Sequence, residues 1–281
     1  MKKSLIITFL IATALFGSSF TANAAWPNIR KGSGKIITRE ETVAPFTAVS
    51  AGNGSTVTLV TGSGPAVIEV DDNLMEYVEV KVKKGTLTVG FNDDCSGYSN
   101  YTLRVTVPTD GKLKRLQATG ASKIVAEPVL KNEDMKIYAT GASNLVAVVK
   151  CNTCEIDISG ASKAELGGDM GSCEAKVSGA SNFNLVAKAD RCLLSASGAS
   201  KINASGSARS AQIASTGASN INACDFVISA CTVKASGASN ARVNCSEQLT
   251  ADASGASKII YTGNCSNNTI ESSGASTVKR R

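Results

Sequence analysis

The sequence predicts an all-β protein: a right-handed parallel β-helix, or β-solenoid, with coils of about 19 residues and a less regular N-terminal β segment. Three observations carry this. The word Gly-Ala-Ser recurs nine times at a nearly constant spacing. Apolar residues return with a period of two on both sides of it. The same residue class stands at the same phase in successive copies.

The copies begin at Gly120, Gly141, Gly160, Gly179, Gly198, Gly217, Gly237, Gly255 and Gly274, with spacings of 21, 19, 19, 19, 19, 20, 18 and 19 residues. That period is too short for helical repeats and suits one coil of a solenoid. Six residues before the Gly stand Met135, Cys154, Cys173, Cys192, Ala211 and Cys231; four before it, Ile137, Ile156, Ala175, Leu194, Ile213 and Val233. Polar residues such as Lys136, Glu155, Glu174, Asp157 and Lys176 fill the places between. Apolar inward and polar outward with period two is a half-buried strand. A second strand follows the word, with Ile124, Leu145, Ala164, Phe183, Ile202, Ile221, Ala241, Ile259 and Val278 four residues after the Gly. Strands recurring once per coil stack in register about 4.8 Å apart, so nine rungs make a slim rod about 40 Å long. Right-handed winding follows from the handedness of parallel crossovers.

Gly-Ala-Ser falls between the two strands, where the chain must bend and bulk is least tolerated. The residue before it is Ser or Thr, from Thr140 and Ser159 to Ser254 and Ser273, and stacked hydroxyls there are expected to hydrogen-bond along the rod. The residue after it runs Lys123, Asn144, Lys163, Asn182, Lys201, Asn220, Asn240, Lys258, Thr277. No two lysines adjoin, which doubles their separation to about the screening length. An asparagine ladder with spaced lysines is the expected reading of this column.

Ahead of the repeats, residues 1–24 have the form of a secretory signal peptide: Lys2 and Lys3, an apolar stretch from Leu5 to Phe16, and the small-x-small site Ala22-Asn23-Ala24. No run is long enough for a transmembrane segment, and with Cys95 as the first Cys no lipid-anchored form is expected. Residues 25–112 form an N-terminal β segment of alternating runs, such as Thr56-Val57-Thr58-Leu59-Val60 and Val78-Glu79-Val80-Lys81-Val82, separated by turn signals. Longer coils or an antiparallel cap over the open end of the rod are expected there. Residues 113–281 form the repeat solenoid.

The chemistry-bearing residues point away from catalysis. The chain has no His, which removes the commonest general base and the commonest zinc and copper ligand. Gly-x-Ser resembles a nucleophile elbow, but the second Gly and the triad His are missing. Cys151 and Cys154 form a C-x-x-C without a second pair, and Cys154, Cys173, Cys192 and Cys231 read as small buried thiols in one column. Cys224, Cys245 and Cys265 fall in the variable part of successive coils, so a disulfide between two of them is expected in an oxidising compartment. Asp71-Asp72 and Asp93-Asp94 are turn acids, too few in oxygen ligands for calcium. Gly34-Lys35 is no phosphate loop, because Ile36 stands where Ser or Thr is required. No catalytic residue, metal ligand or cofactor is expected, and no binding residue is singled out. Removing Lys2 and Lys3 lowers the formal charge from +6 to +4, spread along the chain, so nucleic acid is not an expected partner.

One resemblance covers nearly all of the chain after the signal. Gly32-Ser33-Gly34-Lys35-Ile36 with Arg39, Val43 and Phe46 comes first, then Asp72-Asn73-Leu74 and Gly85-Thr86-Leu87-Thr88-Val89. The serial Ser-Gly-Ala-Ser copies and Tyr261-Thr262-Gly263 follow. In this order the words resemble the head GIN domain of auto-transporter adhesins, an exported domain of unknown function abundant in Bacteroidetes. The resemblance implies a right-handed β-helix at the envelope or surface and brings no catalytic residues. The expected function is therefore an exported, non-enzymatic interaction or adhesion module at the cell surface or in the periplasm of a Gram-negative bacterium. A surface glycan or envelope protein is its expected partner. The alternative is a polysaccharide-binding or polysaccharide-degrading β-helix; a structural spacer is a third reading.

Overall fold

The computed structural model describes residues 29–92 and 97–281. The expected signal peptide, Asp93-Asp94 and Cys95 lie outside the described residues. The repeats fold as a parallel β-solenoid. Strands β1 (Ile29–Lys31), β2 (Ile36–Glu41), β3 (Ala48–Ala51), β4 (Thr56–Thr61) and β5 (Ala66–Asp71) come first, followed by a 3-10 turn over Asp72–Tyr77. Next come β6 (Val78–Lys83), β7 (Thr86–Phe91), β8 (Gly97–Ser99) and β9 (Leu103–Thr109). The repeat coils are β10 (Arg115–Ala118), β11 (Lys123–Lys131), β12 (Asp134–Ala139), β13 (Asn144–Ile158), β14 (Lys163–Val177), β15 (Asn182–Ala196), β16 (Lys201–Ser215), β17 (Asn220–Ala235) and β18 (Asn240–Ala253). The rod finishes with β19 (Lys258–Thr262), β20 (Asn267–Ser272) and β21 (Thr277–Arg280).

Like phases stack on like phases. Leu145 pairs with Ala164, Cys154 with Cys173 and Ile156 with Ala175 between β13 and β14, and the same phase continues into β15 and β16. Burial alternates along each strand, so each rung adds one inward layer and no layer has a core of its own. Size varies along a column: fully buried Phe183 stands between Ala164 and Ile202, and the small Ala on one side leaves room for the ring in a narrow interior. The ladder skips Asn152, Gly171, Asp190 and Arg209, and these mark a second corner of the coil. Where the spacing rises to 20, the extra residue is absorbed as register shifts around β17.

The first corner is the Gly-Ala-Ser turn. Gly160 has φ +76, in the left-handed region, and a Cβ there would lie 2.4 Å from the Gly141 carbonyl oxygen one rung below. Conformation and stacking both demand glycine. The Ala161 N–H donates to that same carbonyl at 2.7 Å, so each turn is hydrogen-bonded to the last. The Ser of the word is buried, as at Ser162, Ser200 and Ser239, and its hydroxyl satisfies backbone carbonyls across the corner. Ser200 Oγ donates to the Val177 oxygen at 3.0 Å and Ser239 Oγ to the Ser215 oxygen at 2.8 Å. The corner is bonded chiefly by the buried Ser after Ala, while in the column before the Gly the Thr119 hydroxyl donates to the Ala51 oxygen at 3.2 Å and the Thr216 hydroxyl to the Ala196 oxygen at 3.4 Å.

Residues before the repeats do not wind in sequence order. β3 and β4 form a rung directly on β10 and β11, with β7 and β9 stacked parallel on its other side. Antiparallel strands close this end: β6 lies on β7, and β5 lies on β9 with β2 beyond it. Asp71, 1% exposed, pins the closure by accepting from Gly34 N at 2.6 Å and from Thr102 N at 2.7 Å. Phe91, Tyr98 and Tyr101 pack together there, and Arg30 lies 3.9 Å over the Tyr77 ring.

Candidate interaction face

The strand after each turn presents two outward columns, three and five residues beyond the Gly. In the first, the ladder pairs Lys123 with Asn144, Asn144 with Lys163, Lys163 with Asn182 and Asn182 with Lys201, so the lysines are separated as the sequence indicates. The second column changes chemistry along the rod. Val125, Val146 and Glu165 give way to Asn184, Asn203, Asn222 and Arg242. Over β15 to β18 both columns are therefore amide or cationic.

The amides bond from rung to rung. Asn203 Nδ2 donates to Asn184 Oδ1 at 2.8 Å, and Asn240 Nδ2 donates to Asn220 Oδ1 at 3.2 Å. The Asn222 Oδ1 atom is enclosed and has no hydrogen-bond partner. Asn203, Asn220, Asn222 and Asn240 line, together with Lys201 and Arg242, a shallow depression of about 400 Å³. Lys163 differs, because Glu165 lies 2.5 Å from its Nζ. Among the described residues neither Lys201 nor Arg242 has a carboxylate partner. A second depression of about 440 Å³, at the other corner, mixes Lys150 and Lys188 with Asp169 and Asp190 and so has no uniform sign.

The residues singled out from the sequence are placed as follows. Cys154, Cys173, Cys192 and Cys231 are buried thiols in the core, as the column reading has it. Burial pushes the Cys231 thiol up to about 12. Cys151 and Cys154 meet across the second corner; the hydrogen bond from Cys154 holds the Cys151 thiol below its ordinary value, while the same bond, then burial, raises Cys154. No group of three or more His, Cys, Asp or Glu among the described residues is arranged to hold a metal. Cys224, Cys245 and Cys265 stand as thiols. Cys265 Sγ donates to the Cys245 oxygen at 3.3 Å, and Cys245 Sγ to the Gln248 oxygen at 2.9 Å. Burial, with Cys265 close by, raises the Cys245 thiol. The register shift after Ala223 takes Cys224 out of line with Cys245.

The early sequence words turn out to touch each other. Ser33 Oγ donates to Asp72 at 2.6 Å, Ser33 N donates to Asn73 Oδ1 at 3.0 Å, and Asn73 Nδ2 donates to the Lys31 oxygen at 2.9 Å. The Ser33 hydrogen bond, with Lys35 3.3 Å away, lowers the Asp72 carboxyl below its ordinary value. Gly32-Ser33-Gly34-Lys35 and Asp71-Asp72-Asn73 are thus the two halves of one clasp. Sequence reasoning missed the second outward column, although a tally five residues after each Gly finds it.

Constant core, constant turn and varying outward columns define a class: a repetitive β-solenoid that displays side chains on a flat lateral sheet. The chain belongs to the family described as "Putative auto-transporter adhesin, head GIN domain", whose model matches residues 45–187 and 171–265. Its fold is shared by a crystal structure of a putative adhesin from Parabacteroides merdae, at 24% identity and TM-score 0.66, covering 90% of this chain and 99% of that one. A putative adhesin from Parabacteroides distasonis matches at 20% identity and TM-score 0.65, covering 90% and 100%. A putative lipid binding protein from the same species matches at 18% identity and TM-score 0.62, covering 89% and 98%. No curated protein matches the chain. No helix among the described residues is long and apolar enough to cross a membrane.

Proposed function

We propose that the chain is an exported, non-enzymatic adhesion-type module that works at the cell surface or in the periplasm of a Gram-negative bacterium and engages its partner through the lateral sheet. The observation that carries this reading is the contrast between columns. Inward positions and turns repeat from rung to rung, while the outward pair changes to unpaired cations and amides over β15 to β18. A scaffold held constant beneath a varied surface suits display. Family membership supports the adhesion-type character, and the signal-like residues 1–24 support export. In this reading residues 25–112 close the rod and 113–281 display the face. Cys245 and Cys265 form a disulfide in the oxidising compartment, their protons and electrons passing to a disulfide-bearing oxidant by thiol exchange.

Beads coated with the full chain are expected to attach to bacterial or host cell surfaces above the level of uncoated beads. Attachment equal to the uncoated control overturns the reading. A degrading β-helix needs acids converging on one face, and the shelf of β15 to β18 presents none. Incubation with polysaccharides is therefore expected to release no reducing ends.

A further inference from the structure

We propose that the amide and cation shelf of β15 to β18 is a binding site for an acidic polysaccharide, whose anionic groups lie on Lys201 and Arg242 and whose hydroxyls meet the asparagines. This rests on the interaction-module reading and names its partner class. Charge comes first. Some outward cations elsewhere on the rod are matched, Lys136 with Glu155 at 3.0 Å, Lys176 with Glu174 at 2.7 Å and Arg209 with Asp190 at 3.2 Å, so the field there is of mixed sign. On the shelf Lys201 and Arg242 have no such partner among the described residues, and both columns from Asn182 to Lys258 lack a carboxylate. A surface of one sign attracts the opposite sign.

The amides then decide which kind of polyanion fits. A carboxamide carries a donor and an acceptor on neighbouring atoms, which matches the paired hydroxyls of a sugar ring. Asn222 lines the depression between Asn203 and Arg242 in the ladder, so its amide stands among those that hydroxyls would meet. Rungs about 4.8 Å apart repeat this pairing along the rod, which suits a polymer of repeating units. Nucleic acid fits less well, because single strands bind through aromatic stacking and the shelf carries no aromatic side chain. Carboxylate and sulfate are two sources of the same charge.

The full chain is titrated onto immobilised polygalacturonate, dextran sulfate and unmodified dextran, with double-stranded DNA as a further surface. Saturable binding to polygalacturonate or dextran sulfate, absent on dextran, is expected, and whichever binds identifies the anion. Lys201→Glu with Arg242→Glu is expected to weaken binding about tenfold or more. Lys176→Glu, on the sheet before the turn, is expected to leave it unchanged. Asn222→Ala, judged folded by circular dichroism, is expected to weaken binding about fivefold even at salt that screens the cations. Equal binding to dextran, equal loss in Lys176→Glu, DNA bound as tightly as the best glycan, or no binding to either acidic glycan overturns the proposal. Beads that attach to cells while all glycans fail sink this inference and leave the adhesion reading standing; beads that fail to attach sink that reading.

Discussion

At the scale of single residues, the repeat is governed by what cannot carry a side chain and what must stay protonated. Gly160 has both a left-handed φ of +76 and a carbonyl 2.4 Å from where a Cβ would stand. Gly160→Ala is therefore expected to lower stability by at least about 2 kcal/mol in denaturant unfolding. Gly167 is the contrast: its nearest atom to a Cβ is the Val186 oxygen at 3.6 Å, an ordinary contact. Gly167→Ala is expected to be neutral or stabilising by about 0.5 kcal/mol. A different residue-scale effect follows from Cys231. Its folded-state pKa, pushed up to about 12 from an ordinary value of 9.0, means that the unfolded chain loses this proton first as pH rises. Its contribution is thus fully present below pH 9.0 and is lost progressively up to about pH 12. Cys231→Ala should flatten that decline in unfolding measured across this window.

At the scale of elements, the closing strands and the coils obey different rules. The clasp at the closed end depends on Asp71, whose two carboxylate oxygens hold the Gly34 and Thr102 N–H groups. Asp71→Ala removes a carboxylate that is 1% exposed and leaves the half-buried Thr102 N–H and the more exposed Gly34 N–H without it, and a loss of about 1–3 kcal/mol is expected. Limited proteolysis should then cut first between β1 and β2. By contrast Arg209 and Asp190, both largely exposed at the second corner, add little; Arg209→Ala is expected to cost under about 0.5 kcal/mol. The clasp was only half legible in the sequence. Gly32-Ser33-Gly34 and Asp72-Asn73 are recognisable words, but their contact spans about forty residues of chain and no local pattern encodes it. The non-sequential placement of β3 between β7 and β10, and of β4 between β9 and β11, was hidden for the same reason.

At the scale of the whole molecule, a solenoid is a stack of nearest-neighbour interfaces, so a full coil is removable if its neighbours remain compatible. Deleting the 19 residues Lys201–Ser219 brings Asn182 against Asn220 and keeps every phase. This chain is expected to stay folded, shorter by one rung of about 4.8 Å in solution scattering. Deleting Asn182–Ser200 instead sets Lys163 beside Lys201, and should cost somewhat under 1 kcal/mol more at low salt. The candidate face belongs to this scale as well. Each of its residues is an ordinary outward Asn, Lys or Arg, and only stacking of several rungs makes them one surface.

The sequence by itself determined the fold class, the coil length, the turn and the residues of the core, because these depend on period and phase and every copy repeats the same evidence. It also located the lysine spacing and the buried thiols, which follow from position within a coil. Only the tertiary structure decided which hydroxyl bonds the corner, how the first strands thread and close the end, and that unpaired cations and amides converge on β15 to β18. Those outcomes depend on contacts between distant segments, where geometry sets the partner and no periodicity records it.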